Sequence, residues 1–200
     1  MAYIDNYNRH KTNFTESLVV GAGHSGQSTI VTVEKVNSGS RIHKTILTLT
    51  NCPISVVSVT TGNGVGGTKI YDMPEGLISI QEARSHLSLS IASAKQADFT
   101  DGTPQGDLGV GTVAPANADA LGTDATDDNI CTSGAFTMAA YAATGISLPF
   151  DGATTNDGTQ TAMDIYLNCL VDAADINDDT TTEVLVSGTI TLIWENLGEN

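Results

Sequence analysis

The feature that most constrains the fold is a period of two in the placement of apolar side chains, densest near the carboxyl end of the chain. In "MDIYLNCLV", Met163, Ile165, Leu167, Cys169 and Val171 fall on one side, with Asp164, Tyr166 and Asn168 on the other. In "TEVLVSGTITLIWENL", Ile190, Leu192 and Trp194 alternate with Thr189, Thr191 and Ile193. Earlier, Leu87, Leu89 and Ile91 alternate with Ser88, Ser90 and Ala92. Successive side chains point to opposite faces only on a strand, so each stretch predicts a half-buried β-strand. The two carboxyl-terminal stretches carry the longest apolar faces, which predicts that Trp194, Leu192 and Ile190 are buried with Met163, Ile165 and Leu167.

The rest of the chain supports this. From Leu18 onward, short pieces rich in β-branched residues are separated by Gly, Asn, Asp and Pro, and strands are expected at 28–36, 42–50, 54–61, 68–73, 77–82 and 86–93. Strands at such spacing predict an all-β domain, an antiparallel β-sandwich or jelly-roll-like barrel. Residues 1–16 read as a polar amino-terminal arm, and 17–200 as one domain, the size at which a single core forms without staples. Between about 97 and 160 the composition turns to Gly, Ala, Asp and Thr. That stretch reads as a long surface insertion, with a short helix near Asn117–Leu121 and a strand or helix in "GAFTMAAYAATG".

Two glycine clusters imitate nucleotide-binding loops. "VVGAGHSGQ" at 19–27 has the G-x-G-x-x-G spacing after an apolar run, but the next residues, "QSTIVTVEKV", suit a strand, not the helix on which a pyrophosphate rests. After Glu34 no acidic residue follows until Asp72, so the partner for a ribose is also missing. "GNGVGGTK" at 62–69 ends Thr-Lys, where a phosphate loop needs Lys and then Ser or Thr. Both clusters read as turns between strands, and no cofactor is expected.

Charge and cysteine usage narrow the partners. Twenty-three acidic residues against eight basic ones give a formal charge of −15, which repels nucleic acid and anionic lipid and suits a basic protein surface. Cys52, Cys131 and Cys169 form no C-x-x-C pair and read as buried thiols in a reducing compartment. No secretory signal or membrane-spanning run is evident, so folding in a cytoplasm is expected.

No catalytic constellation is legible. His10, His24, His43 and His86 stand apart, without paired ligand spacing, and His24 and Ser25 are neighbours that point to opposite faces of an extended chain. The acidic segment "DAADINDDTTTE" places Asp172, Asp175, Asn177 and Asp179 in the manner of a cation loop. An EF-hand is excluded, because its glycine position holds Thr180 and its bidentate glutamate position holds Val186. An irregular calcium or magnesium site at those four residues is weighed against a solvated hairpin loop.

Two blocks, "TKIYDMPEGLISIQEARSHLSLSI" at 68–91 and "DIYLNCLVDAADINDDTTTEVLVSGTITLIWENLG" at 164–198, resemble small capsid decoration (cement) proteins of tailed bacteriophages, of the marine phage type. The resemblance covers about half the chain and lies in the style of strand and acidic loop. It implies a virion protein, assembled in the host cytoplasm, that binds the outer surface of the major capsid protein shell as a homotrimer and reinforces the head without catalysis. Alternatives are a tail, fibre or head-spike component and, in another class, a carbohydrate-binding or hydrolytic β-sandwich. Against a sugar binder, aromatic residues make up only 5% of the chain and Trp194 is the single tryptophan. In the acidic chain, Tyr3, Tyr7, Arg9 and Lys11 combine aromatic with basic character and are the candidate partner contacts.

Overall fold

A computed structural model describes residues 16–19, 30–37, 42–58, 62–116, 120–122, 126–152, 154–158 and 163–197. They form β1 (Glu16–Val19), β2 (Ile30–Asn37), β3 (Ile42–Val57), β4 (Gly64–Asp72), β5 (Gly76–Ser90), β6 (Gln105–Gly111), β7 (Cys131–Thr137), β8 (Ala142–Ile146), β9 (Thr154–Gly158), β10 (Asp164–Val171) and β11 (Thr181–Asn196), with a short 3-10 turn at Ser93–Asp98. The fold is all-β. The strands make one nearly closed, barrel-like antiparallel sheet in the order β7-β6-β10-β4-β3-β11-β5-β8.

β11 organises the sheet. Thr182, Val184, Val186, Ile190, Leu192 and Trp194 are all buried on one face, and only Leu185, buried on the other face, and half-buried Gly188 interrupt the alternation. β3 and β5 flank it over nearly its whole length, and each replaces two shorter strands expected from the sequence. The reason is a bulge in each. On β3, Thr50 and Asn51 together oppose Ser187. Asn51 takes a left-handed φ of 49°, and its backbone N–H donates to Ser187 Oγ at 2.9 Å. Burial on β3 accordingly shifts from Thr45, Leu47 and Leu49 to Cys52, Ile54 and Val56. On β5 the extra residue is Gln81, since Ile193 faces Glu82 while Trp194 faces Ile80, and burial shifts from Ile78 and Ile80 to Ala83, Ser85 and Leu87. One inserted residue flips the phase of an alternating pattern, so a continuous bulged strand imitates two strands and a turn.

The stretch 97–160 is not only surface loop, because it supplies β6, β7, β8 and β9. The segment 134–145 holds the end of β7 and most of β8 and is strand, not helix. The helix expected near 117–121 falls mostly outside the described residues. Glycine is needed in β6 because it lies against β10, where a Cβ on Gly106 would sit 1.9 Å from the Leu170 carbonyl oxygen. In β4 the same holds for Gly66, whose Cβ would lie 1.8 Å from the Ser55 carbonyl oxygen. The cluster 62–69, expected as a turn, is therefore largely strand, with β4 starting at Gly64.

Two connections complete the barrel. The described stretches 112–116 and 126–130 lie over the outer face of β10, and the Asn168 amide donates to Asp127 O at 2.6 Å and Val113 O at 2.8 Å. Asn168, expected on an open face, is fully buried for that reason. Residues 148–151 narrow the seam between β7 and β8: Thr132 N–H donates to Pro149 O at 3.0 Å, Asp151 N–H to Ile130 O at 3.2 Å, and Leu148 N–H to Ser85 Oγ at 2.7 Å.

At the far end of β11 the neighbours change. β2 pairs with β3 over His43–Thr50, and β9 pairs with β5 over Gly76–Ile80, giving a local order β1-β2-β3-β11-β5-β9. The buried face joins the same core, where Trp194, Leu192 and Ile190 lie in one cluster with Met163, Ile165 and Leu167 as expected. The indole N–H donates to Thr45 Oγ1 at 2.9 Å, and its ring stacks on His43 at 4.3 Å.

Candidate functional site

Antiparallel topology gathers the β3–β4, β5–β6 and β10–β11 connections at one end of the barrel, and that end is acidic. Asp98 and Asp101 come from the β5–β6 connection, and Asp172, Asp175, Asp178 and Asp179 from the β10–β11 loop, against Lys95 alone among the described residues there. The sequence showed only the second group. The first was legible in "ADFTDG" once both segments are placed at the same end, and that placement needs the strand order.

The β10–β11 loop is tied down residue by residue. Ile176 is 2% exposed and bridges Phe99, which plugs the barrel end beneath the loop. Asp175 N–H donates to Asp172 O at 2.9 Å, while the Asp175 carboxylate accepts the Gln105 N–H at 2.8 Å. Asn177 N–H donates to Asp98 O at 3.0 Å, and its side-chain amide to Ala97 O at 3.0 Å. Ser58 Oγ donates to Asn177 O at 2.7 Å and accepts the Thr180 N–H at 3.0 Å. Asp179 takes a left-handed φ of 52°, which a short polar residue tolerates.

These bonds give two of the four cation candidates' side chains, Asp175 and Asn177, other work. Asp175 and Asn177 cap backbone, Asp172 and Asp179 shape the turn, and among the described residues no group of three or more His, Cys, Asp or Glu side chains is placed to hold a metal ion. What results is a fixed loop that displays negative charge. Electrostatics of the end vary by position. The Asp101 carboxyl is held below its usual range by the Thr103 N–H and hydroxyl. Burial pushes the Asp107 carboxyl on β6 up, and the charge of Asp172 pushes it further.

A second charged group lies where the end of β4 meets the start of β10. Lys69 pairs with Asp72 and, at 3.0 Å, with Asp164, whose other oxygen accepts the Tyr166 hydroxyl at 3.4 Å. Hydrogen bonds to Asp72 and Asp164 raise the Lys69 ammonium to about 12. Burial pushes Asp164 up, but hydrogen bonding shared with Asp72 and Lys69 outweighs it and leaves its carboxyl below the usual range. This group staples the bulge at Ile70, where the β4–β10 register slips.

The remaining candidates are placed as follows. His43 is stacked on Trp194, and His86 is exposed on β5. Cys52, Cys131 and Cys169 are buried free thiols, each pushed up to about 12, chiefly by burial. The arm residues Tyr3, Tyr7, Arg9 and Lys11, together with His10, His24 and the glycine cluster at 21–26, lie outside the described residues. No protein-family model, curated protein or solved structure matches this chain.

Proposed function

We propose that this protein is a virion structural component of a tailed bacteriophage, a decoration protein that binds the outer surface of the major capsid protein shell and stabilises the head. The observation that carries this reading is the acidic barrel end. A loop fixed by backbone and side-chain ties presents Asp172, Asp178 and Asp179 beside Asp101, while Asp98 is paired with Lys95 at 3.6 Å. Preorganised charge of one sign favours docking on a basic surface, because little ordering entropy is lost on contact. The burial of Trp194 supports the same reading over a sugar binder, since the one tryptophan is packed on His43 and offers no stacking platform. Binding at repeated sites stabilises a shell by mass action, about 2.7 kcal/mol per site at a hundredfold excess over the dissociation constant.

The test is cosedimentation of the full chain with expanded, undecorated heads across a salt series. Saturable binding in fixed ratio to the major capsid protein is expected, weakening as salt screens the acidic end. The exposed pair D178N/D179N should lower occupancy without changing the circular dichroism spectrum. Failure to bind heads even at low salt would overturn the proposal.

A further inference from the structure

We propose that the acidic end docks through an apolar anchor, the outward row of Val57, Val65 and Leu170, and that its occupant is an aliphatic side chain flanked by Lys or Arg on the partner's surface. This rests on the reading of the acidic end as the docking end, and adds the part of the contact that charge does not supply. Val57 closes β3 and is paired on one side with Thr181 and on the other with Val65, which is paired in turn with Leu170. Val56 is buried in the core, so Val57 points out, and it is 47% exposed. Gly64 faces the core as well, since a Cβ there would lie 2.8 Å from Val56 and Ile176, and this turns Val65 outward. Leu170 shares the outer face with Asn168, opposite the core residues Cys169 and Val171, yet is only 2% exposed. The row therefore runs from a covered floor at Leu170, through half-buried Val65, to an open edge at Val57. Val113, 48% exposed, lies over the neighbouring position of that face, where its carbonyl accepts the Asn168 amide.

The rim decides the occupant. Glu183 on β11 lies opposite Ser55, one step along that face from Thr181. On β10, Asp172 follows Leu170 on the same face, and on β6 Asp107 is paired directly with Leu170. Asp178 and Asp179 lead into Thr181, whose pairing with Val57 brings the loop to the row. The lysines on the adjoining elements are already engaged, Lys69 with Asp72 and Asp164, and Lys95 with Asp98. An apolar side chain arriving here without cations would desolvate carboxylates and give them nothing in return, whereas flanking Lys or Arg side chains meet them. A second copy of this chain, at −15, is disfavoured by the same charges. The anchor is also held in place. Ser58, next to Val57, donates its N–H to Thr180 O at 2.9 Å, and its hydroxyl donates to Asn177 O and accepts the Thr180 N–H. A fixed apolar contact inside a charged rim is the arrangement in which a few residues carry most of the binding energy.

Cosedimentation of the full chain with undecorated heads tests the anchor through its salt dependence. Val57→Ser should lower affinity about tenfold at every salt concentration without changing the salt slope, whereas D178N/D179N should flatten that slope. Val57→Ile should bind as wild type does, and both Val57 variants should keep the wild-type circular dichroism spectrum. A probe without heads separates this inference from the capsid reading. A peptide with leucine between lysines should bind more tightly than its counterpart with glycine between lysines, and Val57→Ser should erase the difference. A wild-type protein that ignores heads but distinguishes the peptides would sink the capsid reading and support the anchor. Unchanged head binding by Val57→Ser, or equal affinity of the wild type for the two peptides, would overturn the anchor.

Discussion

The buried indole of Trp194 offers the sharpest test of how β11 is packed. The residue is 5% exposed, and its N–H donates to the hydroxyl of Thr45, itself wholly buried. Replacing it by alanine removes an aromatic side chain from a core that relaxes only partly, at a cost of about 3–5 kcal/mol. The informative change is Trp194→Phe, which keeps most of the apolar ring but strands the Thr45 oxygen without its donor, costing about 1–3 kcal/mol. Thr45→Val makes the converse error, leaving the indole N–H without an acceptor, at a similar cost. With both changes neither polar group remains, so the double variant should be more stable than the sum predicts by about 0.5–3 kcal/mol. Urea unfolding followed by far-ultraviolet circular dichroism measures all four proteins. Because this is the only tryptophan, its fluorescence in the wild type should also be blue-shifted and resistant to acrylamide until unfolding. Additive losses, or a phenylalanine variant as stable as wild type, would refute the buried hydrogen bond. A red-shifted spectrum would reverse the face assignment of β11.

Two further outcomes are expected. The folded carboxyl of Asp107 titrates above its unfolded value, so it favours folding at low pH and this contribution is lost as pH rises through the folded value. Asp107→Asn should therefore raise the melting temperature at pH 7 relative to wild type, with the advantage vanishing well below pH 4, and an equal shift at both pH values would contradict the burial cause. Cys52, Cys131 and Cys169 should resist a thiol reagent at pH 8 in the native protein and all react in urea, whereas rapid native labelling would show that a thiol is open to solvent.

Period-two patterning was enough to identify the core strands, because Ile165, Leu167, Cys169 and Val171 on β10 and Ile190, Leu192 and Trp194 on β11 are buried in alternation, though it could not show that Asn168, Leu170 and Leu185 are buried on the opposite face as well. It misread β3 and β5 because bulges at Asn51 and Gln81 reverse the phase, and a reversal looks locally like a turn. It underestimated 97–160 for a different reason. β6 is held by glycines that let neighbouring backbones approach, and a strand chosen for close approach carries few of the β-branched side chains that advertise one. The acidic end was half legible: Asp172–Asp179 stood out as a run, while Asp98 and Asp101 join it only through the antiparallel order of the strands.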